Sequence, residues 1–291
     1  MTRKARRPAD KEALGPGWGP MEVLMRWLLC ALVYLFAASA EAAPRRIVSL
    51  DYCADQFVLA LADPEQIAAL SIGSTREDSY YRARARGIRQ TRGTLEDVLA
   101  LRPDLVVRNW GGPWDAKEVY ARFDVPVLQV GDAPDFAAAR ADLLDAADKL
   151  GQRPRGLALA RDLDTRLARL RATAPEAAPP VMYLSAGGAV AGEGTLMNDV
   201  IAAAGGHNLW QSRSWTVLPL ERLAETPPAL VALGFFGSAR ERVNAWSPSQ
   251  HPVLRRTLSR TRTVRLPPAA ISCEAWYAID AAETIAAALR T

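Results

Sequence analysis

One stretch of this sequence occurs twice, and it constrains the fold more than any other feature. Residues 94–107 and 219–233 share Leu, Glu, an aliphatic residue, Pro, Leu and Val in the same order. In each copy the Glu opens a short amphipathic helix, where the positive end of the helix dipole favours an acid. The Pro then ends the helix and releases the chain into an apolar strand. Two copies therefore predict two similar α/β lobes.

Apolar strands and helical patterns alternate along the rest of the chain. This alternation predicts an α/β fold with mostly parallel sheets and helices on both faces. A long helix with apolar residues at helical spacing is predicted over residues 157–172. The predicted strands are residues 46–50, 67–71, 104–108, 126–130, 181–184, 229–233 and 262–266. The predicted segments are an extension with a signal peptide (1–42), a first lobe (43–150), an inter-lobe helix (151–178) and a second lobe (179–291).

The charge balance argues against a nucleic-acid partner. The chain has 291 residues and a net charge of +4. Residues 1–42 hold six Lys or Arg and four acidic residues, which leaves 30 basic and 28 acidic residues in the remainder. A net charge of +2 over that length is too small to indicate a basic binding surface.

The N-terminus has the pattern of a targeting segment. Arg26 precedes an apolar run over residues 28–38, and two A-x-A cleavage sites follow at 38–40 and 40–42. The run is short for a membrane helix, which needs about 20 residues. The pattern predicts a cleaved signal peptide and a periplasmic protein. An uncleaved anchor is the alternative.

Two cysteines remain after cleavage, Cys53 and Cys273. Export places them in an oxidising compartment, where an even pair favours a disulfide. Because they lie near opposite ends of the mature chain, the bond would close a very large loop. The alternative is two thiols that line a ligand site.

Aromatic residues are grouped in the loops that follow predicted strands. The carboxyl ends of parallel strands are where α/β proteins bind ligands. Such a grouping predicts a broad, flat and partly apolar ligand held between two lobes. The alternative is that each ring packs under its own loop. The candidates are Tyr52, Trp110, Trp114, Phe235, Phe236 and Trp276, together with Trp215, which comes just before the helix of the second repeat copy.

Several segments together resemble one protein family over residues 45–290. They are the opening strand at 46–50, the first repeat with Arg108-Asn109-Trp110-Gly111-Gly112, the long helix, and residues 198–208 and 218–233. These resemble the periplasmic substrate-binding proteins of ABC importers for metal chelates. The resemblance implies two lobes bridged by one rigid helix, a monomer, and delivery to a permease dimer with its ATPase. It also implies that Glu96 and Glu221, one per lobe, dock on permease arginines.

The resemblance implies cobalamin or another corrinoid first among the ligands. Trp110-Gly111-Gly112 and the region of Trp215 carry this similarity. The two cysteines, an Arg-rich loop at 75–92 and Phe235-Phe236 depart from the cobalamin pattern. Haem and ferric siderophores are the alternatives. A haem binder would coordinate iron through a Tyr or His, with Tyr52, Tyr80 and Tyr81 as candidates, and a siderophore binder would use the arginines of that loop.

Two other function classes are disfavoured by what the sequence lacks. A binder of free zinc or manganese needs a cluster of His, Asp and Glu, and the chain has only His207 and His251. An exported enzyme is the second class, but no nucleophile elbow, zinc-protease motif or phosphate-binding loop is present. No catalytic residue, cofactor or metal ligand is therefore predicted.

Overall fold

The computed structural model describes residues 43–218, 226–238 and 250–291. Its first lobe contains a five-stranded parallel sheet in the order β3-β2-β1-β4-β5. Four of these strands lie where the apolar runs predicted them. The strands are β1 (Ile47–Ser49), β2 (Ile67–Ser71), β3 (Gln90–Thr91), β4 (Leu105–Arg108) and β5 (Val127–Gln129).

The helices of the first lobe begin at polar caps. Asp51, Thr94 and Asp135 each accept a hydrogen bond from a backbone N–H in the first turn that follows. The first repeat copy folds as predicted, with a short helix that ends before Pro103 and leads into β4. The helices are α1 (Tyr52–Leu61), α2 (Leu95–Ala100), α3 (Ala116–Ala121) and α4 (Phe136–Lys149).

The predicted long helix is α5 (Arg153–Ala172), with 20 residues. It begins with Pro154 in its first turn, where a missing N–H costs nothing. Helix α4 packs against it. Gly156 permits this close approach, since a Cβ there would collide with the Cβ of Ala147. Helix α5 connects the two sheets, as predicted.

The second lobe contains a four-stranded parallel sheet in the order β11-β10-β6-β8 and an antiparallel pair, β7-β9. Strand β10 is the strand of the second repeat copy. The helix predicted before it, including Glu221, falls outside the described residues. The elements are β6 (Pro180–Ser185), β7 (Ala189–Ala191), α6 (Leu196–Ala203), β8 (His207–Asn208), β9 (Trp215–Val217), β10 (Leu230–Gly234), α7 (Pro252–Arg260), β11 (Arg262–Arg265), α8 (Pro268–Ile271) and α9 (Ile279–Arg290).

Alternating side chains of the strands divide the core into three clusters. In β6, Val181 and Tyr183 face a central cluster, whereas Met182 and Leu184 face an outer one. In the first sheet, Val48 belongs to a second outer cluster. Because the central cluster includes side chains of both sheets and of α1, α4, α5, α6 and α9, one continuous core joins the lobes. The α/β fold with two mostly parallel sheets joined by a long helix is confirmed.

Within the described residues, no helix combines the length and apolar character that crossing a bilayer requires. The predicted signal peptide lies outside those residues.

Candidate ligand-binding cleft

A cavity of about 620 Å³ lies at the carboxyl ends of the strands of both sheets. In the first sheet the chain adds β2 and β3 on one side of β1 and then β4 and β5 on the other, so the strand order reverses between β1 and β4. Such switch points are where open α/β sheets bind ligands. The lining residues are Tyr52, Cys53, Phe57, Asn109, Trp110, Gly131, Asp132, Tyr183, Ser185, Ala189, Trp215, Phe235, Ile271, Ser272, Cys273 and Glu274.

The buried carboxylate of Asp51 holds the first wall of this cleft together. Its Oδ1 accepts hydrogen bonds from the backbone N–H groups of Cys53 (3.1 Å) and Ala54 (2.9 Å). Its Oδ2 accepts from Asn109 (2.8 Å), Trp110 (3.1 Å) and Gly111 (2.9 Å). One side chain thus joins α1 to the loop after β4. Asp51 was not predicted as a site residue, although an Asp before a helix is a recognisable cap.

Two glycines allow the loop after β4 to lie against β1. A Cβ at Gly111 would be 2.6 Å from the carbonyl oxygen of Leu50, and Gly112 has a φ of +76°. The tight loop displays Trp110 with 58% of its surface exposed. The ring of Trp110 meets that of Tyr52 edge-on at 5.9 Å between centroids. The sequence therefore places an aromatic pair on this wall.

The facing wall comes from the second lobe. Trp215 begins β9 and meets Tyr183 edge-on at 5.6 Å between centroids. A Cβ at Gly234 would collide with the Tyr183 hydroxyl, so only glycine fits there. The next residue, Phe235, has a φ of +62°, which is rare for a side chain of this size. Four of the predicted aromatics, Tyr52, Trp110, Trp215 and Phe235, therefore line one cleft from both lobes.

The floor of the cleft contains a disulfide. Cys53 and Cys273 are bonded, with their Cα atoms 5.6 Å apart, and both line the cavity. The structure thus contains the predicted disulfide and not the alternative pair of thiols, and the bonded cysteines line the cavity. The bond ties the first turn of α1 to the segment before α9. The Tyr52 hydroxyl donates to the carbonyl of Ser272 (3.3 Å) across the same junction.

Three other predicted aromatics are not on the wall. Tyr80, Tyr81 and Trp276 pack with Tyr277 in a cluster behind it, which we call the packed aromatic cluster. The ring of Tyr80 stacks on Tyr277 at 4.3 Å, and Trp276 is 4% exposed. Burial, with a hydrogen bond to Asp280, raises the pKa of the Tyr80 hydroxyl. Trp276 and Tyr277 are buried, Tyr80 and Tyr81 are half-buried against them, and none of the four lines the cleft.

Two further aromatics and the Arg-rich loop also lie off the cleft lining. Trp114 is 91% exposed, and Phe236 packs partly against the outer core of the second lobe. The guanidinium of Arg84 lies over the ring of Tyr81, and Arg76 pairs with Asp78. The arginines of residues 75–92 are thus absent from the wall. A siderophore site was expected to use these arginines, and none of them lines the cavity.

Acidic side chains fall into three environments around the cleft. Asp132 and Glu274 line it. Asp55 lies behind it on α1, where burial raises its pKa to about 7 and Ser71 donates to it (2.6 Å). Glu96 is exposed in the first turn of α2.

No group of three or more potential metal ligands occurs among the residues that the structure describes. His207 contacts the carbonyl of Asn208, and His251 caps α7. Neither histidine lines the cleft.

Comparisons with known proteins agree with this geometry. The chain is similar in structure to a periplasmic haem-binding protein from Pseudomonas aeruginosa (23% identity, TM-score 0.60, 83% of this chain and 93% of that one). It is also similar to the periplasmic vitamin B12-binding protein of Vibrio cholerae (17%, 0.63, 85% and 97%). A third is an Fe³⁺-hydroxamate transport protein from Saccharomonospora viridis (17%, 0.61, 86% and 95%). At these identities the likeness establishes the fold.

A search of curated protein sequences gave no match. The model of one family, described as periplasmic binding protein, matches residues 47–234, which is more than half of the chain. The family match and the structural neighbours confirm the predicted resemblance to metal-chelate binding proteins. The chain belongs to the periplasmic binding protein family.

Proposed function

We propose that this chain is the solute-binding component of an ABC importer and captures a metal chelate, a corrinoid first of all, between its two lobes. The cleft that collects Tyr52 and Trp110 from one lobe and Trp215 and Phe235 from the other supports this most strongly. Rings on facing walls suit a broad, flat ligand with apolar faces. The protein works as a monomer in the periplasm and performs no chemistry on its ligand.

Haem and ferric siderophores are the alternatives; the lining disfavours a siderophore, whereas two tyrosines, Tyr52 and Tyr183, lie on the wall. A siderophore site would use the arginines of residues 75–92, which lie off the wall. A haem site would use a tyrosine of the wall to coordinate iron. Tyr52 is the only one of the three tyrosines predicted for that role on the wall; its hydroxyl donates to the carbonyl of Ser272, and the side chain is 6% exposed.

A ligand screen tests this function. The mature protein, residues 43–291, is titrated with cyanocobalamin, cobinamide, haemin and ferric siderophores while tryptophan fluorescence is recorded. We expect saturable quenching by a corrinoid. Trp110→Ala should weaken it, whereas Trp114→Ala, a tryptophan outside the lining, should not. Absence of binding to every chelate would refute the function.

Delivery requires docking on a permease, and we assign Glu96 and Glu221 to it. Helix α2 follows the carboxyl end of β3, so Glu96 lies on the side of the sheet where the cleft opens. An exposed acid contributes orientation and association rate more than affinity. Glu221 occupies the matching place in the second repeat copy.

An uptake assay separates docking from ligand capture. In cells that depend on this protein, we expect Glu96→Ala and Glu221→Ala to lower the uptake rate while ligand affinity stays unchanged. Glu65→Ala is the matched control, because this exposed acid precedes β2 and therefore lies at the amino ends of the strands, opposite the cleft. Uptake equal to wild type in both Glu variants would remove the docking assignment.

A further inference from the structure

The charged side chains on the described part of the cleft wall are all acidic. Among the described lining residues, Asp132 and Glu274 are acidic, and none is Lys, Arg or His. Asp132 belongs to the loop after β5 in the first lobe, and Glu274 to the segment before α9. Two elements thus bring carboxyl groups to one cavity. Within this part of the wall no cation balances them.

The position of Glu274 is fixed by its neighbours along the chain. Cys273 is bonded to Cys53, and Ala275 and Trp276 are buried in the core. The hydroxyl of Ser272 donates to the carbonyl of Asp78 (2.7 Å). Because the backbone is held on both sides, the carboxyl group cannot leave the cavity by a movement of its loop.

The carboxyl group of Glu274 keeps capacity for a ligand. The Trp215 side chain of the second-lobe wall interacts with it and works against the rise in its pKa. A carboxylate offers about four acceptor positions, which N–H groups of a ligand can use. Partial burial raises the pKa of Glu274, and the charge of Asp132 adds to this. The negative charge of Asp132 therefore acts on Glu274 across the cavity.

Two other charged groups, Asp51 and Arg76, lie close to the first-lobe wall and already have partners. Asp51 is buried and accepts five backbone N–H bonds. Arg76 lies with its guanidinium 6.0 Å from the centroid of the Tyr52 ring and pairs with Asp78 at 3.4 Å, and it is not a lining residue. The cleft wall therefore presents negative charge beside aromatic rings.

We infer that Asp132 and Glu274 select the ligand by the groups at its edge: they accept N–H bonds from peripheral amides or cationic groups and exclude peripheral carboxylates. The inference rests on the proposed function and narrows it to chelates with a neutral or cationic rim. An amide N–H that donates to a carboxylate forms a charge-assisted hydrogen bond. A rim carboxylate would instead bring like charges together in a partly dehydrated space, where repulsion is strong.

Two matched ligand pairs test the inference on the wild-type mature protein by calorimetric titration. The first pair is cyanocobalamin and its monocarboxylate derivative, in which one peripheral propionamide is hydrolysed. The second is haemin, which carries two propionates, and its bis-amide. We expect the amide form of each bound pair to bind roughly tenfold or more tightly than the carboxylate form.

The variants Glu274→Gln and Asp132→Asn locate the source of the preference. Each substitution retains the size of the side chain, and an unchanged melting temperature verifies that each variant is folded. We expect the amide-to-carboxylate ratio to fall several-fold in each variant and further in the double variant. Glu65→Gln changes an exposed acid at the amino ends of the strands, away from the cleft, and should keep the wild-type ratio.

The outcomes separate the inference from the proposed function. If both members of a pair bind wild type equally, or the carboxylate form binds better, the inference is wrong and the binding function stands. A preference that persists in the double variant also overturns the assignment to these two acids. If no member of either pair binds, the proposed function fails and the inference fails with it.

Discussion

Two groups of aromatic residues in this molecule look alike in sequence and differ in the structure. Tyr52, Trp110, Trp215 and Phe235 lie on the cleft wall. The packed aromatic cluster of Tyr80, Tyr81, Trp276 and Tyr277 lies behind that wall, where the closing segment of the chain covers it. Members of both groups lie in, or at the ends of, the segments that connect strands and helices. What separates them is coverage by a distant segment, so position after a strand does not by itself indicate a binding residue.

The largest effect should come from the packed aromatic cluster. Trp276→Ala removes a ring that meets Phe57 edge-on at 4.9 Å between centroids and is 4% exposed. We expect the free energy of unfolding to fall by about 3–5 kcal/mol, since large buried aromatics leave cavities. Urea denaturation measures this. A loss below about 1 kcal/mol would show that the cluster is not a structural core.

The disulfide belongs to both regions and tests how they are joined. Replacing Cys53 and Cys273 by Ser should lower the free energy of unfolding by about 2–4 kcal/mol. It should also weaken ligand binding, because Glu274 follows Cys273 directly. Denaturation and calorimetry on the same samples give both values. Unchanged affinity in the double Ser variant would mean that the disulfide stabilises the fold and does not hold the cleft in its binding form.

On the cleft wall we expect a substitution to lower ligand affinity more than it lowers the free energy of unfolding. Trp110→Ala removes a ring that is 58% exposed, so the free energy of unfolding should change by about 1 kcal/mol or less. Ligand affinity should fall roughly tenfold, because aromatic anchors in a binding site each contribute more than about 1 kcal/mol. Trp114→Ala is the matched control and should alter neither quantity. Equal effects of the two substitutions on affinity would contradict the assignment of Trp110 to the wall.

A substitution in the packed aromatic cluster that keeps the ring tests the boundary between the two groups. The Tyr80 hydroxyl donates to Oδ2 of Asp280 (2.7 Å), and Arg166 of α5 contacts Oδ1 of the same Asp (2.5 Å). Tyr80→Phe removes the hydroxyl and keeps the stacked ring, so we expect a loss of about 1–2 kcal/mol in unfolding free energy. Ligand affinity should not change. A drop in affinity would show that Tyr80 contributes to the ligand-binding cleft.

The sequence predicted the sheets well because short apolar runs and helix caps are local signals. The first repeat copy, with Glu96 in the first turn and Pro103 at the stop, folds as expected. The division of the aromatics could not be predicted, because it depends on α9 returning to the first lobe across some 200 residues, as the Tyr80–Asp280 bond shows. Glu274 carries no local signal at all. Its place on the wall follows from the Cys53–Cys273 bond, whose partners are 220 residues apart.

The most direct test of the central claim is to locate a bound metal. Crystals of the mature protein grown with cyanocobalamin give an anomalous difference signal from cobalt. We expect one cobalt site inside the cavity, between Trp110 on one wall and Trp215 on the other. A cobalt site on the packed side of the molecule, or anywhere else outside this cavity, would contradict it.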